Sequence, residues 1–80
     1  MRIPRDLNGT DLAKQLGQFG YSITRQSGSH MRLTRIVAGR EQHLTIPAHK
    51  PLRVGTLRQI LKDVADQTHQ TLEVVLEALS

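Results

Sequence analysis

The sequence contains no cysteine and no tryptophan, and its only aromatic residues are one tyrosine and one phenylalanine. Without cysteine the chain forms neither disulfides nor a cysteine-ligated zinc site. Tyr21 and Phe19 are too few for a platform on which the bases of a single strand stack. No apolar run is long enough to span a bilayer and no signal-peptide pattern is present, so we expect a cytoplasmic protein without a membrane role.

Acidic residues are scarce relative to basic ones, with 7 Asp and Glu against 11 Lys and Arg and a net charge of +4. This excess favours a polyanionic partner, nucleic acid first among them. A length of 80 residues, 38% of them hydrophobic, indicates one small globular domain over residues 1–80. The four histidines lack the spacing and the carboxylate companions of metal ligands, so we expect neither a metal nor a small-molecule cofactor.

The apolar residues repeat at helical spacing in three segments. They predict a helix at about 9–19 that ends at Gly20, a second helix from Gly55-Thr56 to about residue 67, and a short last helix. The predicted caps are Asn8 with Asp11 at the first helix, Thr56 with Gln59 at the second, and Thr71 at the third. Residues 1–6 read as an extended basic lead-in.

Alternating apolar and polar residues predict three strands between the first two helices, at 21–26, 30–36 and 41–47. In the first strand Tyr21 and Ile23 are expected on one face and Ser22, Thr24 and Gln26 on the other. A turn centred on Ala38-Gly39 sets the pairing of the next two strands. It places Leu33 opposite Leu44, Met31 opposite Ile46, Thr34 opposite His43, Arg32 opposite Thr45, and His30 opposite Pro47.

These elements predict an α+β fold, α-β-β-β-α, with a three-stranded antiparallel sheet and a short C-terminal helix. Each main helix has one apolar stripe and the sheet has one apolar face, so both helices are expected on the same face. The polar residues of the strands then lie on the uncovered face. His30 belongs to this polar set.

His30 is the candidate catalytic residue, because a flexible Ser27-Gly28-Ser29 turn delivers it to the start of a strand. Histidine exchanges protons near neutral pH, and Arg32 and the basic loop at 48–54 supply positive charge for a phosphodiester. From the pattern alone, an ordinary surface histidine is the competing interpretation.

The loop after the third strand and the start of the second helix carry the remaining candidates. His49 follows the strand that pairs with His30, and is either a second acid–base or phosphate-binding group or a loop histidine bonded to the backbone. The N–H groups at the start of the second helix favour an anion, with Lys50, Arg53 and Arg58 around them. Thr56 serves either as a cap or as part of that anion site.

Three short motifs carry a family resemblance: Gly28-Ser29-His30 before an apolar strand, residues 46–49 (IPAH), and residues 55–62 (GTLRQILK). In this order and spacing they resemble the HicA (YcfA-like) toxins of bacterial HicAB toxin–antitoxin pairs. The resemblance runs from about Pro4 to Val64. It implies a double-stranded-RNA-binding-domain-like fold and a type II toxin that cleaves mRNA without a metal. It also implies that His30 is the catalytic histidine and that a HicB-type antitoxin neutralises the protein.

The expected function is therefore an endoribonuclease, with mRNA and a HicB-like antitoxin as partners. The expected substrate-binding residues are Gly28, Ser29, Arg32, His49, Lys50, Arg53, Thr56 and Arg58. A non-catalytic RNA- or DNA-binding module of the same fold is the alternative, because function lies in sites and not in folds. A third interpretation is an interaction domain whose basic face meets an acidic protein.

Overall fold

The computed structural model describes residues 6–79, so the predicted basic lead-in falls mostly outside the described residues. The elements are α1 (Gly9–Gln15) with a 3₁₀ turn (Leu16–Phe19), β1 (Ser22–Ser27), β2 (His30–Val37), β3 (Arg40–Pro47), α2 (Val54–Gln67) and α3 (Leu72–Ala78). The strands form one antiparallel sheet in the order β1-β2-β3. The predicted α+β order, α-β-β-β-α with a short C-terminal helix, is confirmed.

The pairing of β2 with β3 follows the predicted register along its whole length, with Leu33 opposite Leu44 and His30 opposite Pro47. The turn between the strands has positive φ at both central residues, 52° at Ala38 and 78° at Gly39. Positive φ at both positions is the pattern of a type I′ turn, whose twist matches that of the two strands. This turn and the apolar pattern fix the same register.

The core lies between one face of the sheet and the helices. Its fully or almost fully buried members are Leu12 and Leu16 near α1, Met31, Leu33, Leu44 and Ile46 of the sheet, Leu52, Leu57, Leu61 and Val64 at α2, and Val75 of α3. Burying each such side chain contributes about 1.5–3 kcal/mol before the entropy of ordering the chain is subtracted. Helix packing therefore occupies one face of the sheet and leaves the other uncovered.

The first strand departs from the predicted alternation because it contains a β-bulge. Ile23 pairs with Leu33, but Arg25 and not Thr24 pairs with Arg32, so one extra residue stands in β1. The extra residue moves Arg25 to the uncovered face and Gln26, opposite Met31, to the other face. The predicted face of Gln26 is therefore wrong. Ile23, expected with buried Tyr21, is 48% exposed at the sheet edge.

The helix ends lie close to their predicted positions, but two of the predicted side-chain caps are absent. Gly20 ends the first helix with φ 91°, and the Thr71 hydroxyl accepts the Val74 N–H at 3.2 Å, as predicted. Asn8 stands at the N-cap, but its side chain donates to the Asp11 carboxylate at 3.4 Å and caps no backbone N–H. The predicted capping box at Thr56 is wrong, since α2 begins at Val54 with Arg53 as its N-cap.

A cluster of polar side chains around Arg35 and Tyr21 binds the sheet to the ends of both main helices. Arg35 donates to the Phe19 carbonyl at 2.9 Å and to the Gln67 carbonyl at 2.9 Å, while the Tyr21 hydroxyl donates to Gln67 Oε1 at 2.6 Å. Burial raises the pKa of Tyr21 above its usual 10.0, nearby Arg35 opposes that shift, and Asp63 adds to it. These bonds hold the C-terminal end of α2 against this end of the sheet. The N-terminal end of α2 therefore lies toward the opposite end of the sheet.

Candidate functional site

The β1–β2 turn holds His30 at the start of its strand. Ser27 pairs with His30 across the two-residue turn, and Gly28 has φ 59°. Positive φ at the first turn position is the pattern of a type II′ turn, which favours glycine there. The Ser29 carbonyl accepts the Ala48 N–H at 2.6 Å, so the backbone beside His30 is also bonded to the chain leaving β3.

The exposed His30 side chain lines an open groove of about 510 Å³ between β3 and α2. The other lining residues are Thr45 and Pro47 of β3 and Gly55, Thr56, Gln59, Ile60 and Asp63 of α2. The imidazole is thus accessible to a ligand that enters from solvent. Its ring is not packed beneath the helices.

The first turn of α2 forms the other wall of this groove through Gly55 and Thr56. Among the residues that the structure describes, no side chain caps the first N–H groups of α2, although Leu57 N–H reaches the Arg53 carbonyl at 2.9 Å. Free N–H groups and the helix dipole give this end a partial positive charge. The groove therefore combines a proton carrier with an anion-attracting helix end.

The loop between β3 and α2 is bound to the start of α1. Gly9 donates its N–H to the His49 carbonyl at 3.0 Å, and Leu52 donates to the Leu7 carbonyl at 2.9 Å. The His49 side chain is exposed, as are those of Lys50 and Arg53 in the same loop and Arg58 on α2. None of these four side chains is among the residues that line the groove.

Arg32 lies on the same face as His30 but leans the other way. Its Nε donates to His43 Nδ1 at 3.4 Å, and Arg32 lines a separate groove on the uncovered face of the sheet. The structure therefore brings His30 together with Thr56, Gly55 and Thr45, and places Arg32 in the neighbouring groove.

Three polar residues that line the His30 groove were not predicted as site residues, namely Thr45 on β3 and Gln59 and Asp63 on α2. Gln59 and Asp63 follow Thr56 at three and seven residues, and Gln59 Nε2 donates to Asp63 Oδ1 at 3.1 Å. Helical spacing from Thr56 is the signal that could have identified them. Within residues 6–79 no three His, Asp or Glu side chains are grouped as metal ligands would be.

Comparison with known families decides the class of protein. The family model of the HicA toxin of bacterial toxin–antitoxin systems matches residues 9–65. The chain belongs to the HicA toxin family. No curated protein and no solved structure matches it.

The HicA match extends from the first residue of α1 to Ala65 near the end of α2. It contains all three motifs, including Gly28-Ser29-His30, and leaves α3 outside. Membership in the HicA family assigns the chain a toxin role and implies an antitoxin partner. None of the helices within the described range is long and apolar enough to cross a membrane.

Proposed function

We propose that this HicA-family toxin is an endoribonuclease that cleaves mRNA without a metal, with His30 as its acid–base group. The observation that carries the proposal is the position of His30, exposed in an open groove whose far wall is the uncapped first turn of α2. One side of the groove can exchange a proton and the other attracts a phosphate.

The proposed reaction is a transesterification within the RNA. The ribose 2′-oxygen attacks the adjacent phosphorus, the bond from phosphorus to the 5′-oxygen breaks, and the products are a 2′,3′-cyclic phosphate and a 5′-hydroxyl. His30 takes the 2′-hydroxyl proton, or in its protonated form donates a proton to the leaving 5′-oxygen. A positioned acid–base group contributes roughly 10²–10⁴-fold, which describes a slow nuclease.

The cationic residues supply binding and charge stabilisation in this proposal. The Gly28-Ser29 turn holds the backbone of His30, and Thr56 and the N–H groups of α2 face the phosphate across the groove. The exposed basic side chains hold the RNA around it and offset the charge that develops on the phosphate. They are Arg32, His49, Lys50, Arg53 and Arg58.

The test compares the full chain with its His30→Ala variant on labelled RNA in EDTA. We expect the wild type to cut the RNA to products that end in a 2′,3′-cyclic phosphate, and the variant to lose this activity by roughly 10²-fold or more. His69→Ala is the matched control, because His69 is exposed between α2 and α3 and lines neither this groove nor the one on the uncovered face of the sheet. Equal cleavage by wild type and His30→Ala would remove His30 from the reaction.

Two further results separate this proposal from simple binding. RNA with a 2′-O-methyl group at each ribose should bind but stay intact, since it lacks the attacking hydroxyl. If unmodified RNA also stays full length while its mobility shifts in a salt-dependent way, the chain is a non-catalytic RNA-binding module. A HicB-type antitoxin, the proposed partner, should abolish cleavage when it is added in equal amount.

A further inference from the structure

A second open groove, of about 580 Å³, lies on the uncovered face of the sheet beside the His30 groove. We propose that it binds the RNA phosphate next to the one that is cut, and that Arg25 and Arg32 hold this phosphate. This inference rests on the proposed function, because it concerns the same RNA chain.

The two arginines stand directly opposite each other on neighbouring strands, Arg25 on β1 and Arg32 on β2. Like charges in this position destabilise a sheet. Among residues 6–79 neither arginine forms an ion pair, and the Glu41 carboxylate, which also lines the groove, pairs with His43 at 3.7 Å. A bound phosphate would remove this repulsion, because it accepts hydrogen bonds from both guanidinium groups.

The bulge in β1 is what brings the two charges together. With regular alternation Arg25 would lie on the same face as Ile23, away from Arg32. The extra residue at Thr24 interrupts the ladder between Ile23 and Arg25 and turns Arg25 to the uncovered face. A bulge changes the direction of a side chain at the expense of regular pairing. Here the redirected side chain is the cation Arg25, which has no hydrogen-bond or ion-pair partner within residues 6–79.

The groove also holds one of its arginines in place before any ligand arrives. Arg32 Nε lies 3.4 Å from His43 Nδ1, to which it donates, and His43 Nε2 lies 3.7 Å from the Glu41 carboxylate. The Thr34 hydroxyl lies 3.1 Å from His43 Nδ1 and 2.8 Å from the Thr24 hydroxyl. Arg32 therefore keeps its terminal nitrogens for a ligand while its Nε is anchored.

The spacing relative to His30 fits consecutive phosphates of one RNA chain. His30 and Arg32 are two residues apart on β2 and face the same side, which separates their backbones by about 6–7 Å. This distance is comparable with one nucleotide of an extended chain. An RNA strand that crosses the sheet would place one phosphate at His30 and the next between the arginines.

The binding test uses fully 2′-O-methylated single-stranded RNA, which the proposed reaction cannot cut, and the full chain. For single strands, each lost phosphate contact reduces the salt slope of the affinity by about 0.7. Because both arginines hold one phosphate, the double variant Arg25→Gln with Arg32→Gln loses one phosphate contact. When the salt rises from about 50 to about 200 mM, its affinity should therefore fall about 2.6-fold less than that of wild type, and the fall for Arg25→Gln alone should lie between the two.

Arg40→Gln is the matched control. It removes the same charge, but Arg40 is exposed, pairs with Val37 at the opposite end of β3 from Pro47, and lines neither groove. Equal salt slopes for Arg25→Gln and Arg40→Gln would overturn the proposal. So would loss of antitoxin binding without loss of RNA affinity, since the face would then belong to the protein partner. Removing Arg25 should leave Tm unchanged or raise it, which excludes misfolding as the cause.

A cleavage test separates the two proposals. A dinucleoside monophosphate has only the phosphate that is cut, whereas RNA of about ten nucleotides also fills a flanking site. Arg25→Gln should leave cleavage of the dinucleotide unchanged and raise KM for the longer RNA by the factor by which it weakens binding. Equal KM values for wild type and Arg25→Gln on both substrates would overturn the second phosphate site alone. Absence of cleavage by wild type, with the salt-slope difference intact, would overturn the nuclease function alone.

Discussion

Replacing Gly9 with alanine should destabilise this protein, although alanine is the better helix former. Gly9 is buried in the first turn of α1, where a Cβ atom would overlap the Pro47 carbonyl oxygen and lie 3.0 Å from its carbon and 3.2 Å from the Ala48 Cα. These are backbone atoms of the last residue of β3 and of the residue that follows it, so they cannot move aside as the tip of a side chain can. Relief of the overlap therefore requires the start of α1 to move away from β3 or the end of β3 at Pro47 to be displaced.

The magnitude follows from three terms. Overpacking costs about 1–3 kcal/mol, and weakening the bond from Gly9 N–H to the His49 carbonyl costs about 0.5–1.5 kcal/mol. The higher helix propensity of alanine returns up to about 1 kcal/mol. At the middle of these ranges the net loss is about 2.5 kcal/mol, which in a chain of this size lowers Tm by roughly 10–20 °C.

The assay is thermal unfolding followed by circular dichroism, with Gly17→Ala as the control. A Cβ at Gly17 meets nothing within 4 Å, so this variant should gain about 0.4–1 kcal/mol from the smaller entropy of its unfolded chain. The two variants make the same chemical change and should shift Tm in opposite directions. A Tm for Gly9→Ala at or above that of wild type would refute the close approach of α1 to β3.

The same substitution should also disturb the site. Pro47 pairs with His30 and lines its groove, so a displacement of Pro47 alters the wall against which RNA is proposed to bind. At a temperature where both proteins are folded, we expect Gly9→Ala to bind RNA more weakly than Gly17→Ala. Equal RNA affinities would mean that the groove tolerates movement of its β3 wall.

Three further predictions concern the remainder of the fold. Because Tyr21 has a raised pKa when folded, its contribution to stability is complete below about pH 10 and is lost as the pH rises above that value. The free energy of unfolding of Tyr21→Phe, measured with urea at pH 8–11, should therefore fall less steeply with rising pH than that of wild type. Arg35→Leu leaves the Phe19 and Gln67 carbonyls without their donor and should lower the free energy of unfolding by roughly 2–3 kcal/mol, measured by urea titration. Thr71→Ala should lower it by about 1 kcal/mol, with Thr71→Ser close to wild type.

Features set by near neighbours were predictable from the sequence. The strand register depends on alternation and on the Ala38-Gly39 turn, and a slip by one residue would have set apolar against polar side chains. The Thr71 cap and the Gly20 helix end depend on bonds within a few residues. The turn that presents His30 is equally local, and the family motifs lie on these same segments.

Features set by distant partners were not predictable. The Gly9 N–H donates to the His49 carbonyl, forty residues along the chain. The bulge in β1 has no sequence signal of its own, yet it decides that Arg25 faces the uncovered side.

Local patterns were enough to predict the order of elements, the register of β2 with β3 and the exposure of His30, because periodicity and turn chemistry act over short distances. Two features of the site depend instead on helix packing: the first turn of α2 faces His30 across a groove, and Arg32 lines a different groove. The reason is physical: a groove exists between elements, and its width and lining depend on how the helices pack on the sheet.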